Sequence, residues 1–494
     1  MSLDLHQATP EDIRERAAID RSVRFPVLFF FTSAAAWLFV ATALGFLSGL
    51  KLRVPGLWDD CPWMIYSRLF PVHMIALVYG WAMQAGLGVM VWLMARLTRN
   101  ELHNPVTVIV AGHLWNAGVA LAVIFVWSGL GRSMPWLDFP VWVAPMLFIG
   151  YLMVALWMIP MFRARRSGEV YISEMFLLGA ALWFPWIFAT ANLLVGDEGS
   201  AVMSAGINSW YISNLIYFWF APVALASAYY LIPKIAGRPI HSYPLALVGF
   251  WALAILSGWT GFNRFVGGPF PAWIPAVSGA ATLFIIIAVV ASGSNFWLTV
   301  KGKEKLWEYS PTLRFTMFGA LMFICYAVLN GVSSFFSFSK VLQFSHFVVG
   351  LDTLAVYGFF SMMAFGAIYY IVPRITGCEW PSPALIRNHF WFSAYGIATV
   401  VLTMLIGGFA QAGQMNQWDQ EFVRSVEVGN GWVVGRIVAW LLIAFSNLGF
   451  FYQLAVMFIG RGRRTAGPTL IHGEPGSVSS AEEAVSLSAG GAHH

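Results

Sequence analysis

The chain has 494 residues, 59% of them hydrophobic and only 10% charged; soluble domains carry roughly 25% charged residues, so a soluble enzyme or binding module is excluded. The net charge of +5 is collected in a few loops, which is a membrane-topology signal and gives no footprint for nucleic acid. Three cysteines, Cys61, Cys325 and Cys378, have no C-x-x-C spacing and exclude a disulfide framework.

In chain order, residues 1–25 are charged and helix-prone, and are read as a cytoplasmic segment without a cleavable signal peptide. Long apolar runs then reach the ~20 residues that a helix needs to cross hydrocarbon. They predict spans at 26–49, 69–94, 105–129, 138–162, 170–195, 207–232, 243–262, 274–298, 313–336, 342–372, 390–410 and 432–459. Helices are the expected spanning element, because each satisfies its own backbone hydrogen bonds. The alternating short segments of an outer-membrane barrel are absent. Residues 26–460 are thus expected to form one all-α, twelve-helix transmembrane domain. Most of the 28 Lys and Arg, including Arg14, Arg163, Arg165, Arg166, Lys301, Lys303, Arg461 and Arg463, fall on the side of residues 1–25. The positive-inside rule then places both termini in the cytoplasm. Residues 461–494 turn polar and rich in Gly, Ser and Ala, and are expected to be a disordered cytoplasmic tail. His493 and His494 at its end are a poor metal site.

An ionisable group inside hydrocarbon is costly and so a functional suspect. Here the suspects are His73, His113, Glu174, Arg264, His346 and Asp352. His113 is expected to serve helix packing and Glu174 to sit at the interface. A haem–copper type of redox site needs at least six histidines: three for haems in two spin states and three for copper. Only His73, His113 and His346 fall well inside the predicted spans, which argues against oxygen chemistry from the residue count alone. Arg264 and Asp352 are expected to form a buried ion pair, because each would otherwise be a lone charge at depth. The alternative is an Arg264 that snorkels to the outer surface.

Three segments carry a family resemblance. The stretch Tyr229-Tyr230-Leu231-Ile232-Pro233-Lys234-Ile235-Ala236-Gly237-Arg238-Pro239 runs on to Ser242-Tyr243-Pro244-Leu245. Arg68-Leu69-Phe70-Pro71-Val72-His73 opens the second span. Ser345-His346-Phe347-Val348-Val349-Gly350-Leu351-Asp352-Thr353 opens the tenth. Together they resemble the haem–copper cytochrome c oxidase subunit I family, cbb-type branch, over nearly the whole chain. The resemblance implies the family's twelve-helix bundle and makes His73 a candidate low-spin haem ligand, for haem b. Ala82, Ala85, Gly86 and Gly88 would leave room for a flat macrocycle.

The resemblance also exposes vacated ligand positions. Ser213, Asn263 and Arg264 stand at the copper histidines, and Ser257 stands at the redox-active tyrosine. Leu351 stands at the high-spin haem ligand and Thr353 at the second low-spin ligand. Copper favours imidazole nitrogen, and a permanent guanidinium repels a cation. His346 lies seven residues before Thr353, about 10 Å along a helix, and is expected to be structural. No cofactor is therefore expected at the copper and high-spin haem positions. The leading expectation is a non-catalytic subunit I paralogue that acts as scaffold, assembly factor or docking partner in a respiratory complex of the bacterial cytoplasmic membrane. Its partners would be other respiratory subunits, among them an intact oxidase subunit I and a cytochrome c subunit, and membrane lipid. The alternatives are an active terminal oxidase or nitric oxide reductase with atypical ligands, and a proton or solute conductor that reuses the bundle.

Overall fold

The structure, a computed structural model, describes residues 10–166, 168, 170–195 and 200–464. Most of the expected tail therefore lies outside the described residues. Among the described residues twelve helices are long and apolar enough to cross a membrane: α1 Arg14–Arg53, α2 Tyr66–Thr98, α3 Pro105–Trp127, α4 Val141–Arg163, α5 Ile172–Leu194, α6 Ala201–Ala236, α7 Tyr243–Phe265, α8 Trp273–Val300, α9 Pro311–Ser333, α10 His346–Thr376, α11 Pro383–Met415 and α12 Phe422–Phe458. Each overlaps one predicted span. The first helix begins at Pro10, so the helix-prone residues 10–25 continue the first span on its N-terminal side. Predicted span ten divides: Phe336–Leu342 is a short helix of its own, and the spanning helix starts at His346.

Burial sorts the helices into two classes. The apolar stretches of α2 and α10 are entirely buried and that of α6 nearly so, whereas the other nine present about half of their surface outward. These three helices form the centre and the rest pack round them. An all-round hydrophobic helix belongs inside such a bundle, because it has no polar face to offer. Each central helix contains a widened stretch with i→i+5 hydrogen bonding: Ala76–Ala82 in α2, Ile216–Phe220 in α6 and Leu354–Ser361 in α10. Such wide turns shift the register of the helix beyond them and frequently mark functional sites.

Aromatic rings fill the gaps that small residues leave. A Cβ on Gly86 would overlap the Trp219 indole, and one on Gly88 would stand 2.5 Å from Phe31 Cε1. Gly86 and Gly88 therefore seat the side chains of Trp219 and Phe31. At Gly408 a Cβ would collide with the Phe347 backbone, so glycine allows α11 to lie directly on the start of α10. Close approach through small residues is the general device of helix packing in membranes.

Candidate functional site: the outer half of the central bundle

The positions expected to be vacated ligand sites lie on α6, α7 and α10, which are joined there by the Ser213–Thr260 and Arg264–Asp352 contacts. In α7 the regular helix ends at Leu256, and the chain continues through two tight turns, Ser257–Trp259 and Phe262–Phe265. Gly261 between them has φ +103°, and a Cβ there would stand 2.6 Å from Trp210 Cα. Only glycine both tolerates this backbone and lets the turn press on α6. Trp210 Nε1 and Ser209 Oγ tie the turn to α6 by donating to the carbonyls of Gly258 (2.8 Å) and Gly261 (2.7 Å).

The hydroxyls at the site satisfy one another. Ser213 Oγ donates to Thr260 Oγ1 (2.7 Å), Thr260 Oγ1 to the Ser257 carbonyl (2.7 Å), and Ser257 Oγ to the Leu253 carbonyl (2.7 Å). Asn263 is held from three sides. Its N–H donates to Ser278 Oγ (3.0 Å), its Oδ1 accepts from Ser278 Oγ (3.4 Å), and its carbonyl accepts from Ser339 Oγ (2.6 Å). Ser257 and Asn263 are buried. Breaking one of these contacts would leave a buried polar group without its partner.

Arg264 and Asp352 come together. Arg264 Nη2 donates to Asp352 Oδ1 at 3.1 Å, and the two side chains are 18% and 14% exposed. The contact joins the outer turn of α7 to the second turn of α10. Leu351 beside it is buried, and Thr353 Oγ1 donates to the Val349 carbonyl (2.8 Å). Its hydroxyl is thus spent on its own helix.

His73 is buried in α2. Its Nδ1 lies 2.6 Å from the Ala41 carbonyl. A carbonyl can only accept, so Nδ1 carries the proton and the Nε2 lone pair faces away from this bond. The Trp440 ring meets the imidazole edge-on at 4.7 Å. Nearby Arg436 is buried, with Nη2 3.4 Å from Ser48 Oγ and its guanidinium 5.2 Å from the Phe70 ring. Its Nη1 has no partner.

These residues fit the implied cofactors poorly. His73 offers one nitrogen in the tautomer that binds iron, and the orphaned Arg436 Nη1 would welcome a carboxylate. A low-spin haem would also need a second strong ligand, and at the positions the resemblance implies Leu351 has no lone pair and the Thr353 hydroxyl is a weak ligand for iron. Copper fares worse: Ser213 bonds Thr260, Asn263 bonds Ser278 and Ser339, and none of these oxygens is the imidazole nitrogen that copper favours, while Arg264 adds a cation. Among the described residues no three His, Cys, Asp or Glu side chains are grouped so as to hold a metal.

The structure also corrects the histidine count. His389 in α11 is buried, its Nδ1 is 2.8 Å from Tyr369 OH, and its ring stacks on Phe450 at 4.9 Å. It stands one residue before the predicted start of that span, which is why the apolar run missed it. Ring contacts lead from His389 through Phe365, Tyr357 and Trp440 to His73. His113 is exposed on the outside of the bundle, with its ring 4.6 Å from Phe29, so the packing role expected for it shrinks to this one contact. Glu174 Oε2 accepts from the Tyr171 N–H (2.9 Å), which caps the start of α5. The His346 N–H donates to Gln411 Oε1 (2.9 Å) and joins α10 to α11.

Comparison with known proteins agrees with this architecture. The family described as cytochrome c and quinol oxidase polypeptide I matches residues 25–442. The chain is 24% identical to the cbb3-type cytochrome c oxidase subunit CcoN1 of Stutzerimonas stutzeri, over 84% of this chain and 91% of that one. It is 22% identical to a cytochrome c oxidase subunit 1 homolog of Agrobacterium tumefaciens (strain T37), over 91% and 86%. Its fold is similar to that of a heme-copper terminal oxidase dimer solved by cryo-EM, with a TM-score of 0.74 and 14% identity over 94% of this chain and 90% of that one. The matched family covers nearly all of the membrane domain, and the chain is therefore a multi-pass membrane protein that belongs to the cytochrome c and quinol oxidase polypeptide I family, the subunit I family of the haem–copper oxidases.

Proposed function

We propose that this protein is a non-catalytic subunit I-like component of a respiratory complex in a bacterial cytoplasmic membrane, where it acts as a scaffold, assembly or docking subunit. The observation that carries the reading is the set of groups that stand at the ligand positions the resemblance implies, and what they bond. Ser213 bonds Thr260, which bonds the Ser257 carbonyl, Asn263 separately bonds Ser278, and Arg264 is neutralised by Asp352. A copper site favours imidazole nitrogen, and the hydroxyl, amide and guanidinium groups held in these contacts do not supply it. Its partners would be other respiratory subunits, among them an intact oxidase subunit I and a cytochrome c subunit.

The test is a reduced-minus-oxidised visible spectrum of the purified protein, with iron and copper analysis and identification of co-purifying chains. The expected result is no copper, no carbon-monoxide-reactive haem, and respiratory subunits among the partners. A haem band abolished in His73→Ala, with no copper, would make the protein an electron-transfer subunit. A high-spin haem with copper would overturn the reading in favour of an active oxidase or nitric oxide reductase. The conductor reading would use the polar residues at depth, Arg264, Asp352, Glu174 and Thr353, as the lining of its path. Proton or solute flux in liposomes that disappears in Asp352→Asn would favour it.

A further inference from the structure

On the side of the bundle where α8 ends and α9 and α11 begin, a lateral cleft of about 760 Å³ opens between these three helices. Its wall is almost wholly apolar and includes Trp297, Met317, Leu321, Ile324 and Trp391. Two arginines, Arg314 and Arg387, line its rim. Arg314 is the fourth residue of α9 and Ile324 lies ten residues further along the same helix. At 1.5 Å per residue the apolar wall runs about 15 Å inward from the rim, which is one leaflet of a hydrocarbon core roughly 30 Å thick. The deep end is narrow: a Cβ on Gly293 of α8 would stand 2.9 Å from Ile324 Cδ1.

The rim carries two arginines against one carboxylate, Glu308, and so keeps a net positive charge. Arg314 is anchored, with Nε donating to the Trp307 carbonyl (2.9 Å) and Nη2 to the Glu308 carbonyl (2.8 Å), and its guanidinium lies 5.6 Å from the Phe390 ring. Arg387 is exposed, one helical turn from Trp391. Among the described residues neither guanidinium has an ion-pair partner, although Glu308 lines the same rim. An apolar slot one leaflet deep, under two unpaired cations at the interface, is complementary to one amphiphile of negative charge. Basic sites between transmembrane helices at this level suit anionic lipid headgroups.

We propose that the cleft between α8, α9 and α11 is a binding site for an anionic phospholipid. One acyl chain fills the slot down to Ile324, and the phosphate lies between Arg314 and Arg387. Each arginine near an anionic headgroup is worth about 1 kcal/mol, or roughly fivefold in affinity.

The test is native mass spectrometry of the intact protein with phosphatidylglycerol and phosphatidylcholine of identical acyl chains. Wild type is expected to retain phosphatidylglycerol preferentially. Arg387→Gln, a surface change that leaves the fold alone, is expected to weaken retention about fivefold, and Arg314→Gln/Arg387→Gln about 25-fold. Ala394→Trp, which fills the slot, is expected to abolish retention, and glycerol 3-phosphate is expected not to compete. Four results would overturn the proposal: equal retention of both lipids, an unaltered Arg387→Gln, competition by glycerol 3-phosphate, or a photo-crosslinker at Leu321 that captures another protein's helix in native membranes.

Discussion

Arg264→Met should leave Asp352 as an uncompensated charge between α7 and α10. The pair is 3.1 Å apart, and at an effective dielectric near 20 its direct attraction is ~5 kcal/mol. Both side chains are slightly exposed, 18% and 14%, so part of that attraction is screened. Breaking a buried pair from one side costs about 3–5 kcal/mol, whereas replacing both partners with neutral groups is often close to neutral. We therefore expect Arg264→Met to destabilise the protein by about 3 kcal/mol and Asp352→Asn by about 2 kcal/mol. The double variant should fall within ~1 kcal/mol of wild type, a coupling of roughly 4 kcal/mol in the double-mutant cycle. The assay is reversible unfolding by SDS titration in mixed micelles, with the four proteins measured side by side. Strictly additive single effects, each under ~1 kcal/mol, would refute the reasoning. They would mean that the arginine reaches water and Asp352 is solvated on its own.

The packing and the charge distribution lead to two more expected outcomes. Asp138, in the outer loop before α4, has its carboxyl pushed up to about 7 by burial, against the pull of the Trp136 backbone N–H and of Arg132. The folded state then keeps a proton that the unfolded chain has lost, so stability is greatest below about pH 4, falls as pH rises to about 7, and is level above that. The shift corresponds to about 4 kcal/mol at neutral pH; thermal stability measured from pH 4.5 to 8 should show this slope in wild type and lose it in Asp138→Asn. Gly86→Ala should cost about 1–3 kcal/mol through overpacking against Trp219, and Trp219→Leu in the same chain should recover part of it; equal losses with and without Trp219 would show that the indole is not the obstacle.

What was legible in the sequence depended on how local the cause is. The twelve spans could be read because hydrocarbon imposes a length and an apolar composition on each run separately. Helix ends were harder: α11 starts at Pro383 and α12 at Phe422, well before their apolar centres, because a helix continues past the membrane wherever polar residues still favour it. His389 was lost to this effect. The Arg264–Asp352 contact was readable because two opposite charges at depth have little choice but each other. Ser213–Thr260 was not, because it depends on how α7 unwinds at Ser257, and unwinding there depends on Gly261 meeting Trp210. Likewise Gly86 announces only that something comes close; that the something is Trp219, from another helix, is a property of the assembled bundle.

The wide turns of α2, α6 and α10 have a consequence for how this chain could change over time. His73 precedes Ala76–Ala82, Ser213 precedes Ile216–Phe220, and Leu351 and Thr353 precede Leu354–Ser361, so each site position lies within one turn on the outer side of a break in helical register. The break works as a joint between two stories of the building. Substitutions in the upper story alter contacts there, while the side chains below the joint keep their own facing and their own neighbours. The wide turn of α2 also leaves carbonyls for side chains to grip, as where Trp115 Nε1 donates to the Tyr79 carbonyl at 2.9 Å, which locks the joint against rotation. A lineage could thus strip and rewire the upper story residue by residue without having to redesign the lower one.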